Sequence, residues 1–295
     1  MAKIVKSKSE RKAKPKLEPE TFSLISSEKL LAIYFAMVKC RMFEQRAASL
    51  FQSGKLASDL HASSGREATS ASLAIDLLPK DTLSLSPGDW LPAFVKGTTP
   101  ENLFRILAFP SSQLNGKSPS PLSELEQKDI FALDEGHRPE FVCERAIAAQ
   151  AAKEGAIIAA ILPSAEELIQ PWHGTMAAAA SKRLPIVFVH HVALVHRVAA
   201  ANQSDKPPAN GKAKYPDALV HGVPAIAVDA YDAVAVYRVA YEAIVRARQG
   251  RGATLLQCFT DPGAATATRG NVGHLSVEHL PTIDPVSSME NYLLR

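Results

Sequence analysis

The stretch from Ala156 to Val189 constrains this chain more than any other. An unbroken apolar segment, Ala156 to Leu162, is followed by a helical segment from about Ala165 to Lys182 and then by a second apolar segment, Pro185 to Val189. Apolar runs this short suit strands buried on both faces, and two of them joined by a helix-length crossover lie parallel in one sheet. The pattern then repeats. Val223 to Val228 reads as a third strand and Tyr231 to Gln249 as a helix, with Val234, Tyr237, Val239, Tyr241 and Ile244 offered to the core and Gly250 and Gly252 closing it. Thr254 to Phe259 is a fourth strand. The expected class is therefore α/β, a layered parallel sheet flanked by helices.

The first half carries fewer signals. Ser26 and Ser27 are candidate N-caps for a helix whose apolar positions Leu30, Ile33, Met37, Cys40, Ala47 and Leu50 recur at three and four residues, while Lys39, Gln45 and Arg46 face water and Gly54 ends it. A second helix is expected from Arg66 to Leu77, rich in Ala and Ser, with Pro79 as its stop. Such small residues permit close helix packing. Residues 110–140 are polar and broken by prolines, and read mostly as loop, an insertion in the domain. The chain divides into a basic disordered tail, residues 1–21, and one domain, residues 22–295.

Charge and cysteine usage narrow the function. The net charge of +3 comes from the arm, whose first sixteen residues hold seven Lys or Arg against the single acid Glu10. Without that arm the remainder is slightly acidic, so nucleic acid is not the expected partner, and the arm reads as a solubilising tail. No stretch is long and apolar enough to span a membrane, and no secretory signal stands at the start. The three cysteines, Cys40, Cys143 and Cys258, lie far apart with no spacing that suggests a disulfide or a zinc site. A cytoplasmic protein is expected.

An ordered series of matches then resembles a known family. It opens with LLAIYFAMVKCRMFEQRAASLFQSGKL and continues through Leu60-His61, Gly65-Arg66-Glu67-Ala68, Leu78-Pro79-Lys80-Asp81 and Lys96-Gly97. It resumes at Lys182 to Val189, at Val228 to Asp232 with Val236-Tyr237, and at Gly250 to Leu256, and it ends at Asp284-Pro285 with Tyr292-Leu293. The whole is similar to the alpha subunit of thiamine-diphosphate-dependent 2-oxo acid dehydrogenases, of which the pyruvate dehydrogenase alpha subunit is the best-known example.

The resemblance implies the thiamine-diphosphate-binding fold, decarboxylation of a 2-oxo acid, and transfer of the remaining unit to a lipoyl group on a partner. The cofactor supplies the organic chemistry and the protein supplies position and electrostatics. Its diphosphate is clamped by magnesium, an ion that takes oxygen ligands in tight octahedral geometry. In the family those ligands come from a Gly-Asp-Gly opening after one strand and an Asn-Asn pair closing the next. Here Pro163-Ser164-Ala165 and Val192-Ala193 stand in those places. Ser164 with Glu167 reads as a capping box, with Glu166 or Glu167 replacing the aspartate as the alternative. The family's Arg-Asp-His-Gly-His stretch corresponds to Gly88-Asp89-Trp90-Leu91-Pro92, so Asp89 is the one retained cofactor-binding position. His61 is the retained catalytic candidate. The family's glycine-rich loop has no counterpart in residues 110–145.

Other constellations read structurally. His190, His191 and His196 are the densest histidine group and are read as surface residues, because no cysteine or carboxylate nearby completes a metal-ligand set. Trp172-His173-Gly174 after Pro171 suggests a kinked helix, and Asp229 and Asp232 read as caps. No metal site is expected. The implied role is that of a catalytically degenerate alpha-like subunit acting by assembly, as a homodimer or with a beta-like subunit. The alternatives are an active subunit with a non-standard diphosphate site and a small-molecule-binding regulatory module.

Overall fold

The structure, a computed structural model, describes residues 25–57, 66–86, 88–108, 121–132, 137–164, 168–193, 219–260 and 284–295. The basic tail, His61, Gly65, residues 165–167 and His196 lie outside the described residues.

Helix α1, Ser27–Gln52, begins where Ser26 accepts a hydrogen bond from the Lys29 N–H at 3.2 Å, and it buries the expected Leu30, Ile33, Met37, Cys40 and Ala47. Helix α2, Glu67–Ala74, is buried along its whole length. Its Ala and Ser side chains let α1 and the helix at Ala233–Arg248 approach closely, and Ser72 donates across to the Ala233 carbonyl at 3.0 Å. Strand β1, Thr82–Ser84, leads into α3, Leu91–Val95, and α4, Pro100–Ala108. In the 110–140 stretch, read mostly as loop, residues 110–120 and 133–136 lie outside the described residues. Its described part contains α5, Pro121–Glu126, and edge strand β2, Ile130–Phe131, and Pro139 lies in the first turn of α6, Arg138–Ala152. Proline is favoured there because its missing N–H would have had no helical partner.

The remaining elements are β3, Ile158–Ile161; α7, Trp172–Lys182; β4, Ile186–Ala193; β5, Leu219–Val220; β6, Val223–Asp229; α8, Ala233–Arg248; β7, Thr254–Thr260; and α9, Pro285–Leu293. Pro171 is the N-cap of α7, so it starts that helix instead of kinking it. Asp232 caps α8 by accepting from the Ala235 N–H at 2.9 Å, while Asp229 accepts from the Tyr231 N–H, also at 2.9 Å.

The seven strands lie in the order β2-β1-β3-β4-β7-β6-β5, all pairs parallel except the antiparallel β5-β6 hairpin. That hairpin turns through His221 and Gly222, both at positive φ, the conformation that a two-residue primed turn requires. Alternate residues of β4 serve two cores. Val187 and Val189 pack toward α1, α4 and α8, whereas Ile186 and Phe188 pack toward α6 and α7. Burying one such side chain contributes about 1.5–3 kcal/mol. The layered parallel sheet expected from the second half is the architecture observed, and no described helix is long and apolar enough to cross a membrane.

Candidate functional site

Because β1, β3, β4 and β7 are parallel, their C-terminal ends share one edge, where open α/β sheets bind ligands. Asp89 lies beyond β1, its N–H donating to the Ser86 carbonyl at 3.0 Å. It is 2% exposed, and neither carboxylate oxygen accepts a hydrogen bond among the described residues. Burial raises the affinity of Asp89 for its proton, while the nearby charges of Arg66 and Arg138 oppose that shift. A buried carboxyl group lacking hydrogen bonds is costly and uncommon.

Arg66, at the N-cap of α2, reaches this carboxylate, with Nη1 3.7 Å from Asp89 Oδ2. Its Nη2 donates to Ser164 Oγ, beyond β3, at 2.8 Å, so one guanidinium ties together residues 98 apart in the chain. A cation at a helix N-terminus meets an unfavourable dipole. Glu67 in the same turn offsets it. That carboxylate is fully buried and pairs with Arg41 at 2.7 Å, which also holds Asp284 at 2.5 Å.

Arg138 had no place in the sequence reading. Fully buried, it donates to the carbonyls of Ser84 and Ile161 and to the Ser84 hydroxyl, linking the ends of β1 and β3, and its guanidinium lies 5.1 Å from the Trp172 ring centroid. Its only sequence signal was a His-Arg-Pro start to a helix, hidden by the polar stretch before it.

His191 is buried and His190 half-buried, so neither is the exposed surface residue expected, while His196 lies outside the described residues. Strand β4 continues four residues past Val189, so His190 pairs in register with Gln257 and His191 with Cys258. His191 is 3% exposed, and its Nδ1 has no hydrogen-bond partner among the described residues. Burial, then the Arg66 charge, pushes the His190 pKa down to about 4, and the same causes with His190 added hold His191 well below its usual range. Both are neutral at physiological pH. Burial lifts the Cys258 thiol to about 12, so it is no thiolate nucleophile there.

The structure thus brings Asp89 together with Arg66, Ser164 and the β4 histidines, while His61 falls outside the described residues. The magnesium implied by the resemblance does not suit the described donors. Ser164 has a neutral hydroxyl already hydrogen-bonded by a guanidinium, Val192 offers no side-chain donor, and no group of three or more His, Cys, Asp or Glu side chains is suitably placed among the described residues. A divalent ion at Ser164 would meet a permanent positive charge at short range.

A mostly parallel sheet flanked by helices, with charged side chains gathered at the C-terminal edge of its central strands, places the chain in the open-sheet α/β class. More particularly, the chain belongs to the dehydrogenase E1 component family, whose sequence model matches residues 34–260. It is 27% identical over 301 residues to the alpha subunit of acetoin:2,6-dichlorophenolindophenol oxidoreductase from Bacillus subtilis (strain 168), covering 95% of this chain and 84% of that one. It is also 27% identical over 259 residues to the pyruvate dehydrogenase E1 component subunit alpha of Porphyra purpurea, covering 80% and 70%. A solved structure of a candidate thiamin diphosphate-dependent enzyme from Mycobacterium smegmatis aligns with 68% of this chain at a TM-score of 0.41 and 15% identity; the alignment spans 32% of that chain. The alpha-subunit resemblance read from the sequence and the family match agree.

Proposed function

We propose that this chain is an alpha-like subunit that acts by assembly and does not by itself hold a magnesium-bound thiamine diphosphate. The observation that carries the reading is the 2.8 Å hydrogen bond from Arg66 to Ser164, the residue that stands where the family sets a metal ligand. Val192 in place of an oxygen donor supports it. The proposed partner is a second copy or a beta-like subunit. The relatives' names as alpha subunits support this, as do Leu31, Phe35 and Met42 along α1, which are 45%, 58% and 63% exposed. Three free cysteines are consistent with a reducing, cytoplasmic setting.

A second reading has one specific observation in its favour. The Arg66 guanidinium could neutralise a diphosphate without a metal, making the chain a working decarboxylating subunit with a non-standard site. Calorimetric titration with thiamine diphosphate, with and without magnesium, separates the two. No binding in either condition is the expected result. Saturable binding without magnesium selects the second reading, and magnesium-dependent micromolar binding rejects both.

A further inference from the structure

We infer that Arg66 is what bars a divalent cation from the sheet edge: its guanidinium, reaching both Ser164 and Asp89, is a tethered cation in the place a metal would have to take. This rests on the reading above that the chain does not hold a metal-bound diphosphate, and it assigns to Arg66 a part in that exclusion beyond the missing donors at Ser164 and Val192.

Geometry makes the competition direct. Arg66 Nη2 is 2.8 Å from Ser164 Oγ, so an ion at coordination distance from that oxygen, about 2.1 Å, would lie within about 5 Å of the guanidinium nitrogen. The other end of the same fork is 3.7 Å from Asp89 Oδ2. Asp89 has the features of a metal ligand in waiting, since it is buried and its oxygens accept no hydrogen bonds among the described residues. The cation facing it is instead covalently attached and cannot lose its charge by deprotonation. Ser164 Oγ is a weak ligand and is already engaged. Replacing Ser164 by a carboxylate would therefore not create a metal site while Arg66 remains, because the guanidinium would pair with the new charge.

The test uses the full chain and manganese alone, followed by the loss of the free-ion electron paramagnetic resonance signal. The wild type, S164D, R66Q and R66Q/S164D are titrated, with thermal midpoints recorded for each. The expected result is saturable binding by R66Q/S164D that is roughly tenfold or more tighter than by S164D, reduced again when D89N is added. S164D alone should show a raised thermal midpoint from its pair with Arg66. Equal manganese affinity in S164D and R66Q/S164D overturns the inference, as does failure of R66Q/S164D to bind or insensitivity of its binding to D89N. Should the glutamine variants fail to fold, Arg66→Met in the same combinations gives the same comparison. The functional reading fails on the wild-type chain with thiamine diphosphate, whereas this inference fails on the variants with metal alone, so the two failures are distinguishable.

Discussion

Arg248, in the last turn of α8, grips Asp81 with both arms of its guanidinium: Nη2 lies 2.6 Å from Oδ2 and Nη1 3.2 Å from Oδ1. Asp81 is fully buried and also accepts the backbone N–H groups of Leu78 at 2.7 Å and Ile157 at 3.1 Å. One carboxylate thus joins the entry to β1, the entry to β3 and the end of α8. It fixes the frame on which the edge residues are mounted.

Asp81→Ala should accordingly be among the most destabilising single substitutions. It leaves a half-buried guanidinium and two backbone donors without their acceptor, and a loss of about 3–5 kcal/mol is expected from urea unfolding. Arg248→Ala should cost comparably because it strips a buried charge of its partner, and the double variant should fall well short of the sum. Additive losses would show that the pair is not coupled.

Acid should loosen α9 before it unfolds the sheet. Partial burial acts to raise the Asp284 pKa, but hydrogen bonds from Arg41 and Ser287 outweigh it and hold the group near 2. A carboxylate depressed in the folded state adds stability above its unfolded pKa, and loses it as pH falls through the folded value. Between pH 4 and 2, amide protection within residues 285–293, taken relative to the intrinsic exchange rate at each pH, should therefore fall. Arg41→Ala should produce the same loss of protection at neutral pH. Unchanged exchange in that variant would remove Arg41 as the clasp.

A second pH dependence has its source in β4. The His190 pKa is lowered to about 4, so the unfolded chain binds a proton there near pH 6.5 that the folded chain refuses. Stability should fall as pH drops below about 6.5 and level off under about 4, by a total on the order of 3 kcal/mol from this group. Asp89 contributes with the opposite sign, since its folded pKa is raised and its contribution is lost as pH rises through that value. His190→Gln should flatten the decline between pH 6.5 and 4, read from urea midpoints. A His190 imidazole titrating near 6.5 in the folded wild type would contradict the burial argument.

The elements legible in the sequence were those with an uninterrupted local pattern. The apolar runs of β3, β4, β6 and β7 announced buried parallel strands, and the periodic faces of α1 and α8 announced helices. Strand β1 escaped because Thr82–Ser84 is three residues long, and α6 because its core-facing side is largely Val142 and Ala146 behind a polar stretch. Val189 was read as the end of β4, whereas pairing with β7 carries the strand on through His190 and His191, which leaves His190 half-buried and His191 buried. Asp89 was singled out through resemblance, and its burial beside Arg66 could not be read from the sequence. The role of Arg66 could not either, because its bond to Ser164 spans 98 residues and depends on the helix and strand ends meeting in space.

The central claim is that a guanidinium, and not a metal, faces Ser164 at the sheet edge. The most direct measurement is a manganese anomalous difference map from crystals of the chain grown with manganese and thiamine diphosphate. The account predicts Arg66 within hydrogen-bond distance of Ser164 Oγ and no anomalous peak in contact with Ser164 or Asp89. A manganese peak coordinated by either residue and by diphosphate oxygens, with Arg66 turned away, would contradict it.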